Sequence, residues 1–114
     1  MKLIVAIIRP EYLEVVQAAL QETGAALLSV SQVVGDGREP GFTEIYRGRE
    51  VRVRRPKLRL EVAADETLVP RAVDAIARAA ATGDPGAVGN VFVMHLDDCV
   101  GIPAGAPGSG ALGR

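Results

Sequence analysis

Residues 35–59 read GDGREPGFTEIYRGREVRVRRPKLR. The stretch sits between two segments of clean strand pattern, and it is too long and too charged for an ordinary hairpin turn. It carries eight of the thirteen Lys and Arg residues (Arg38, Arg47, Arg49, Arg52, Arg54, Arg55, Lys57 and Arg59) and two of the four aromatics, Phe42 and Tyr46. A compact domain short of aromatic residues normally buries them, because each removes a large apolar area from water. Aromatics on a charged loop mark it as a contact surface. Loops beyond about 12–15 residues inside compact domains are usually functional or disordered.

The flanking segments decide the architecture. Downstream, KLRLEVA at 57–63 alternates charged and apolar side chains with period two, as a half-buried strand does. The alternation already begins at Val51-Arg52-Val53-Arg54, which predicts that the loop's distal arm extends this strand, with Pro56 at the join. Upstream, Leu27 to Val34 is a strand in which Ser29 and Ser31 alternate with Leu28, Val30 and Gln32. Lys2 to Ile8 is a short β-branched run; Arg9 and Pro10 interrupt its likeness to a signal peptide, so it reads as a buried strand. Pro10 suits a first helical turn, Leu13, Val16 and Leu20 recur at helical spacing, and Gly24 is a C-terminal cap. The first helix is therefore expected over about 11–23. Leu68, Val69, Ala72, Val73, Ile76 and Ala80 form a second helical stripe over about 67–82, with Thr67 as its N-cap. Gly83-Asp84-Pro85-Gly86 breaks the chain, and Asn90 to Leu96 is the fourth strand.

The order strand, helix, strand, long loop, strand, helix, strand forms two βαβ-like halves. Right-handed crossovers and short connections turn it into an α+β, ferredoxin-like split βαβ sandwich (βαββαβ) with both helices on one sheet face. The strands carry apolar residues on both sides, so the other face needs a cover, and a second copy of the chain is the simplest one. One domain is expected over 1–100, with an irregular Gly/Pro-rich tail over 101–114.

Composition narrows the class. The chain has 114 residues, 48% of them hydrophobic, enough to bury roughly two-thirds of its unfolded surface as one domain. Much of the apolar content is Ala and Val, so each helix buries little area and oligomerisation would compensate. Membrane insertion is not expected, since no run approaches 18 apolar residues. The net charge of −1 hides an asymmetry: residues 1–59 hold ten bases against seven acids, and 60–114 hold three against seven. The positive charge is local rather than spread over a face, which argues against nucleic-acid binding. Cys99 is the only cysteine, so no internal disulfide is possible and a reducing cytoplasm is expected. It reads as an inert, partly buried thiol.

Two glycine-rich segments are candidate anion sites. Gly35-Asp36-Gly37-Arg38 follows a strand; its glycines let backbone N–H groups approach an anion, and Arg38 adds a bidentate donor. Gly83 to Asn90 precedes the last strand and is either a second backbone cradle or merely a long turn. In an oligomer, one such segment from each neighbour could face the same cleft. There is no Walker lysine pattern. His95 stands alone, as a partly buried structural histidine, and Asp97 and Asp98 read as a solvated strand-end pair rather than a metal site. No nucleophile–base–acid trio is legible, so neither catalysis nor a metal is expected.

MKLIVAIIRP, GDGREPGFTEIYRGRE, AIARAAATGDPGAVGNVFV and the order of elements resemble the PII signal-transduction proteins over about residues 1–98. The run at Gly35, Gly37, Arg38, Gly41, Thr43, Glu44, Tyr46, Arg47 and Gly48 is specific to that family. The resemblance implies a homotrimer with an extended T-loop, here about 37–55, that binds adenine nucleotides between subunits and docks on transporters or enzymes. It places Ser29, Gly35, Asp36, Gly37, Arg38, Glu61, Ala63, Gly86, Val88, Gly89 and Asn90 at the nucleotide. Glu39, Phe42, Thr43, Tyr46, Arg47, Arg49 and Lys57 fall on the effector or partner side.

The departures from the family pattern are chemical. The modifiable loop tyrosine falls at Val51, and the glutamine that helps hold magnesium and 2-oxoglutarate falls at Glu39. The phosphate-contacting lysine is Asn90, and two tail arginines appear as Gly101 and Pro103. Charge-assisted hydrogen bonds contribute about 1.5–3 kcal/mol each, so their loss favours ADP or AMP over ATP. The resemblance thus implies a divergent, non-catalytic PII-like sensor whose basic loop regulates a transporter or carbon- or nitrogen-metabolism enzyme. By analogy with PII-like proteins of carbon uptake, its second effector would be bicarbonate. The alternatives are an adaptor trimer that has lost nucleotide binding, and a ferredoxin-like enzyme using His95 and the aspartates.

Overall fold

β1, Lys2–Ile8, runs through the middle of the sheet. The computed structural model describes residues 1–35, 42–82 and 89–102, and of 42–46 and 50–53 the backbone alone. A single 3-10 turn at Pro10–Tyr12 leads into α1, Leu13–Thr23, and then β2 spans Ala26–Gly35. β3 (Phe42–Tyr46) and β4 (Arg49–Val53) precede β5, Arg55–Ala64. α2, Val69–Ala79, and β6, Asn90–His95, complete the fold. The main sheet is antiparallel throughout in the order β2-β5-β1-β6, while β3 and β4 pair only with each other. This is the ferredoxin-like α+β arrangement expected from the sequence, with one addition.

The addition lies in the long insertion. Residues 42–53, expected as irregular loop with an arm continuing the third strand, form a two-stranded ribbon of their own. The Val51-Arg52-Val53 alternation belongs to β4, which pairs with β3, and Arg54 separates it from β5. The turn is the two residues Arg47 (φ 51) and Gly48 (φ 77), both left-handed, which matches the right-handed twist of the flanking strands.

Period-two patterning sorts the sheet into two faces. Ile4, Ala6 and Ile8 of β1 stand opposite Val62, Leu60 and Leu58 of β5, and all six are buried under the helices. α1 adds Val16 and Leu20, and α2 adds Ala72, Ile76 and Ala79. Fully burying an aliphatic side chain of this size contributes about 1.5–3 kcal/mol, so Ile4, Leu20, Leu60 and Ile76, all essentially sealed from solvent, dominate the core.

Helix ends follow local chemistry, with two corrections. Gly24 caps α1 at φ 84, as expected, and Thr23 Oγ1 donates to the Leu20 carbonyl at 2.7 Å. The residues before Leu13 form the 3-10 turn instead of the first α-helical turn. Thr67 is not the N-cap of α2: Leu68 holds that position without a side-chain cap, and Pro70 falls in the first turn. The Leu68 N–H donates to the Asp65 carbonyl at 2.9 Å, so a backbone turn does the work assigned to the threonine.

Candidate functional site: a polar strip and two sheet-end glycines

The helix-free face is mostly apolar, with Phe92 and Met94 opposite Val5 and Leu3. Phe92 is 52% and Met94 44% exposed. On the β2–β5 side the same face turns polar. Ser29 pairs with Glu61, and Ser31 with Arg59. Ser29 Oγ donates to Glu61 Oε1 at 2.5 Å, and Arg59 Nη2 lies 3.7 Å from Glu61 Oε2. The carboxylate is thus held by a hydroxyl on one oxygen and a guanidinium on the other.

A β-bulge creates this strip. Leu27 pairs with Val62, yet the next pair is Ser29 with Glu61, so Leu28 is the extra residue. Without the bulge Ser29 would stand opposite Leu60 on the helix side. A one-residue shift moves every following side chain to the other face. Ala63, also expected at this site, is buried beside the strip. Lys57, assigned to the effector loop, stands instead on β5 and is only 6% exposed, so it belongs to the sheet face.

The glycine segments end at one end of the sheet. Gly35 closes β2 opposite Arg55, while Gly89 and Asn90 open β6, where Asn90 pairs with Ile7. A Cβ on Gly89 would run into the Ile7 carbonyl oxygen, so this glycine is required by close packing. Gly89 and Asn90 border a cavity of about 170 Å³ under the C-terminal end of α2, lined also by Ile7, Arg9, Ile76 and Ala80. Arg9 escaped sequence reasoning, which treated it as the end of an apolar run. Its only signal is a guanidinium directly after a buried strand. β2 and β6 are the two edges of the sheet, so Gly35 and Asn90 are three strand spacings, about 14 Å, apart across it, and Gly35 lies further out along the strands: Asn90 is level with Arg59 of β5, whereas Gly35 is opposite Arg55.

Asp36, Gly37, Arg38, Glu39, Gly86, Val88 and Pro103 lie outside the described residues. Phe42, Thr43 and Tyr46 are on β3, Arg47 is in the ribbon turn and Arg49 opens β4; Arg47 and Arg49 are exposed. His95 is not partly buried, as its strand pattern implied. It is exposed on the edge strand β6, with Lys2 Nζ 3.2 Å from Nδ1. Asp98 Oδ1 accepts from the Cys99 backbone N–H at 2.8 Å, and Cys99 is half-buried. Among the described residues no group of three or more His, Cys, Asp or Glu side chains is placed to hold a metal ion. No helix among them is long and apolar enough to cross a membrane.

The chain is thus a ferredoxin-like sandwich with a polar strip on its helix-free face and a separate two-stranded ribbon. Comparison with known proteins makes the class specific. The family model for nitrogen regulatory protein P-II matches residues 1–106. A nitrogen regulatory protein P-II of Rhizobium etli is 47% identical over 113 residues, 98% of this chain and all of that protein. Nitrogen regulatory protein P-II 2 of Methanothermobacter thermautotrophicus is 42% identical, covering 98% of this chain and 97% of that protein. The Azospirillum brasilense P-II protein is likewise 42% identical over 98% of this chain. The chain belongs to the P-II family of signalling regulators.

Proposed function

We propose that this protein is a non-catalytic signalling trimer that binds an adenine nucleotide in clefts between subunits. It passes the binding state to a partner protein through the β3–β4 ribbon. The observation that carries the reading is the placement of Gly35 and Gly89–Asn90 at one sheet end but on opposite edges. Two neighbouring chains can bring one edge each to a common cleft. The apolar helix-free surface around Phe92 and Met94 favours such association, since burying it removes apolar area from water. The relatives' shared name, nitrogen regulation, makes an enzyme or transporter of nitrogen metabolism the natural partner.

Within that cleft, ADP or AMP is preferred over ATP. Asn90 and Gly101 stand where family members carry cations, so the third phosphate has fewer charged partners. Sedimentation and titration calorimetry test both parts. A trimer that binds ADP or AMP more tightly than ATP is expected, and bicarbonate and 2-oxoglutarate are each titrated as second effector. A monomer overturns the cleft, and tightest binding of ATP with 2-oxoglutarate and magnesium overturns the preference. The same neutral positions also favour a second reading, an adaptor trimer without nucleotide. That reading requires no thermal stabilisation by any adenylate at millimolar concentration.

A further inference from the structure

We propose that the outward helix layer is a second association surface, on which another copy of this chain docks by setting its basic α2 against the acidic α1. The layer covers the face of the sheet opposite Phe92 and Met94, so this contact joins assemblies formed through the sheet instead of building them. Residues 10–25 hold three glutamates, Glu11, Glu14 and Glu22, and no Lys or Arg. α2 holds Arg71 and Arg78 against Asp74 alone, and Asp74 is already engaged, its Oδ2 lying 2.9 Å from Arg78 Nε. Arg71 and Glu22 are both exposed, and among the described residues neither takes part in an ion pair. The helix layer therefore carries one uncompensated charge of each sign.

An open groove of about 490 Å³ runs between the helices, lined by the small side chains Ala19, Ala75 and Ala79. Glu22 borders it from α1 and Arg71 from α2. The alanines leave room for a long side chain from outside, and an arginine stem covers apolar surface while its guanidinium stays at the rim. A two-fold axis through the groove brings Arg71 of each copy to Glu22 of the other, which compensates both leftover charges on both chains. A partner surface of a single sign cannot do this, because it repels one rim of the groove while it attracts the other. The chain itself displays the complementary pattern, and that favours a second copy as the occupant. Val15, 44% exposed and one turn before Ala19, adds apolar area to the contact.

Sedimentation velocity of the full chain over a range of protein concentration, in about 20 mM and about 0.5 M salt, tests this, since salt screens exposed charges. In low salt the wild type is expected to form species larger than the assembly that persists in high salt. Arg71→Glu or Glu22→Arg alone removes both reciprocal pairs and sets like charges opposite each other, so either should weaken the association about tenfold. The double variant Arg71→Glu/Glu22→Arg restores opposite charges across the axis and should regain most of it. Far-ultraviolet circular dichroism checks that each variant keeps its helices, as expected for two exposed positions. The absence of larger species in low salt, or larger species that survive high salt or either single reversal, overturns the proposal. Loss in the single variants without recovery in the double variant overturns the second copy as occupant and assigns the groove to a different protein.

Discussion

Gly89 is held against the β1 backbone, and nothing larger than hydrogen fits there. Because the obstacle is the Ile7 carbonyl and not a movable side chain, Gly89→Ala must push β6 away from β1 or bend its entry. Overpacking of this kind costs about 1–3 kcal/mol, and urea denaturation at fixed protein concentration should show that loss. The sequence marked Gly89 as part of an anion cradle; the structure adds a second requirement for glycine, the close approach of the Ile7 carbonyl, which no local pattern shows. Ser29 and Glu61 illustrate a different limit. The resemblance set both at the candidate site, yet their mutual contact depends on the extra residue Leu28, and alternation alone cannot say where a bulge falls. Lys57 was legible as the first residue of the KLRLEVA strand, but the resemblance set it on the effector side, and its burial follows only from β2 pairing alongside it, Val33 opposite Lys57.

At the scale of elements, the ribbon is the main departure from the sequence reading. Two-residue hairpin turns with both residues left-handed favour Asn-Gly or Asp-Gly. This turn is Arg47-Gly48, so the usual hairpin signal is missing, and the charged alternation on its far side looked like an extension of β5. Arginine in a left-handed conformation costs roughly 1 kcal/mol relative to glycine, and asparagine recovers part of that. Arg47→Asn should therefore slow amide hydrogen exchange across 42–53 severalfold without changing the exchange of β1 or β5. Unchanged exchange in the ribbon would mean that its pairing is limited elsewhere. The helices were easier to read because their signals are local: Gly24 ends α1, and the Ala72, Ile76 and Ala79 stripe orients α2. The start of α1 and the cap of α2 were misassigned: a 3-10 turn precedes Leu13, and a backbone turn from Asp65 replaces the threonine side chain.

At the scale of the molecule, the sheet has one face covered by helices and one left partly apolar. Phe92 is a large exposed hydrophobe in the middle of β6 on the uncovered face, with Met94 two residues away. Phe92→Glu places a charge on that surface without disturbing the helix-side core. It should shift sedimentation toward smaller species while the far-ultraviolet circular dichroism of the chain is retained. If the assembly is unaffected, the trimer is not built on this face, and the clefts must be sought elsewhere.

Hydrophobic period, chain punctuation and the glycine-rich motifs determined the order of strands and helices, the ferredoxin-like class and the family, because each is a property of neighbours along the chain. Which side chains meet was settled by register and edge position. The bulge that faces Ser29 toward Glu61, the burial of Lys57, the contact of Gly89 with Ile7 and the separate pairing of β3 with β4 all arise between segments distant in sequence. Such contacts depend on which strands become neighbours and in what alignment, and these are decided only when the sheet closes over its core.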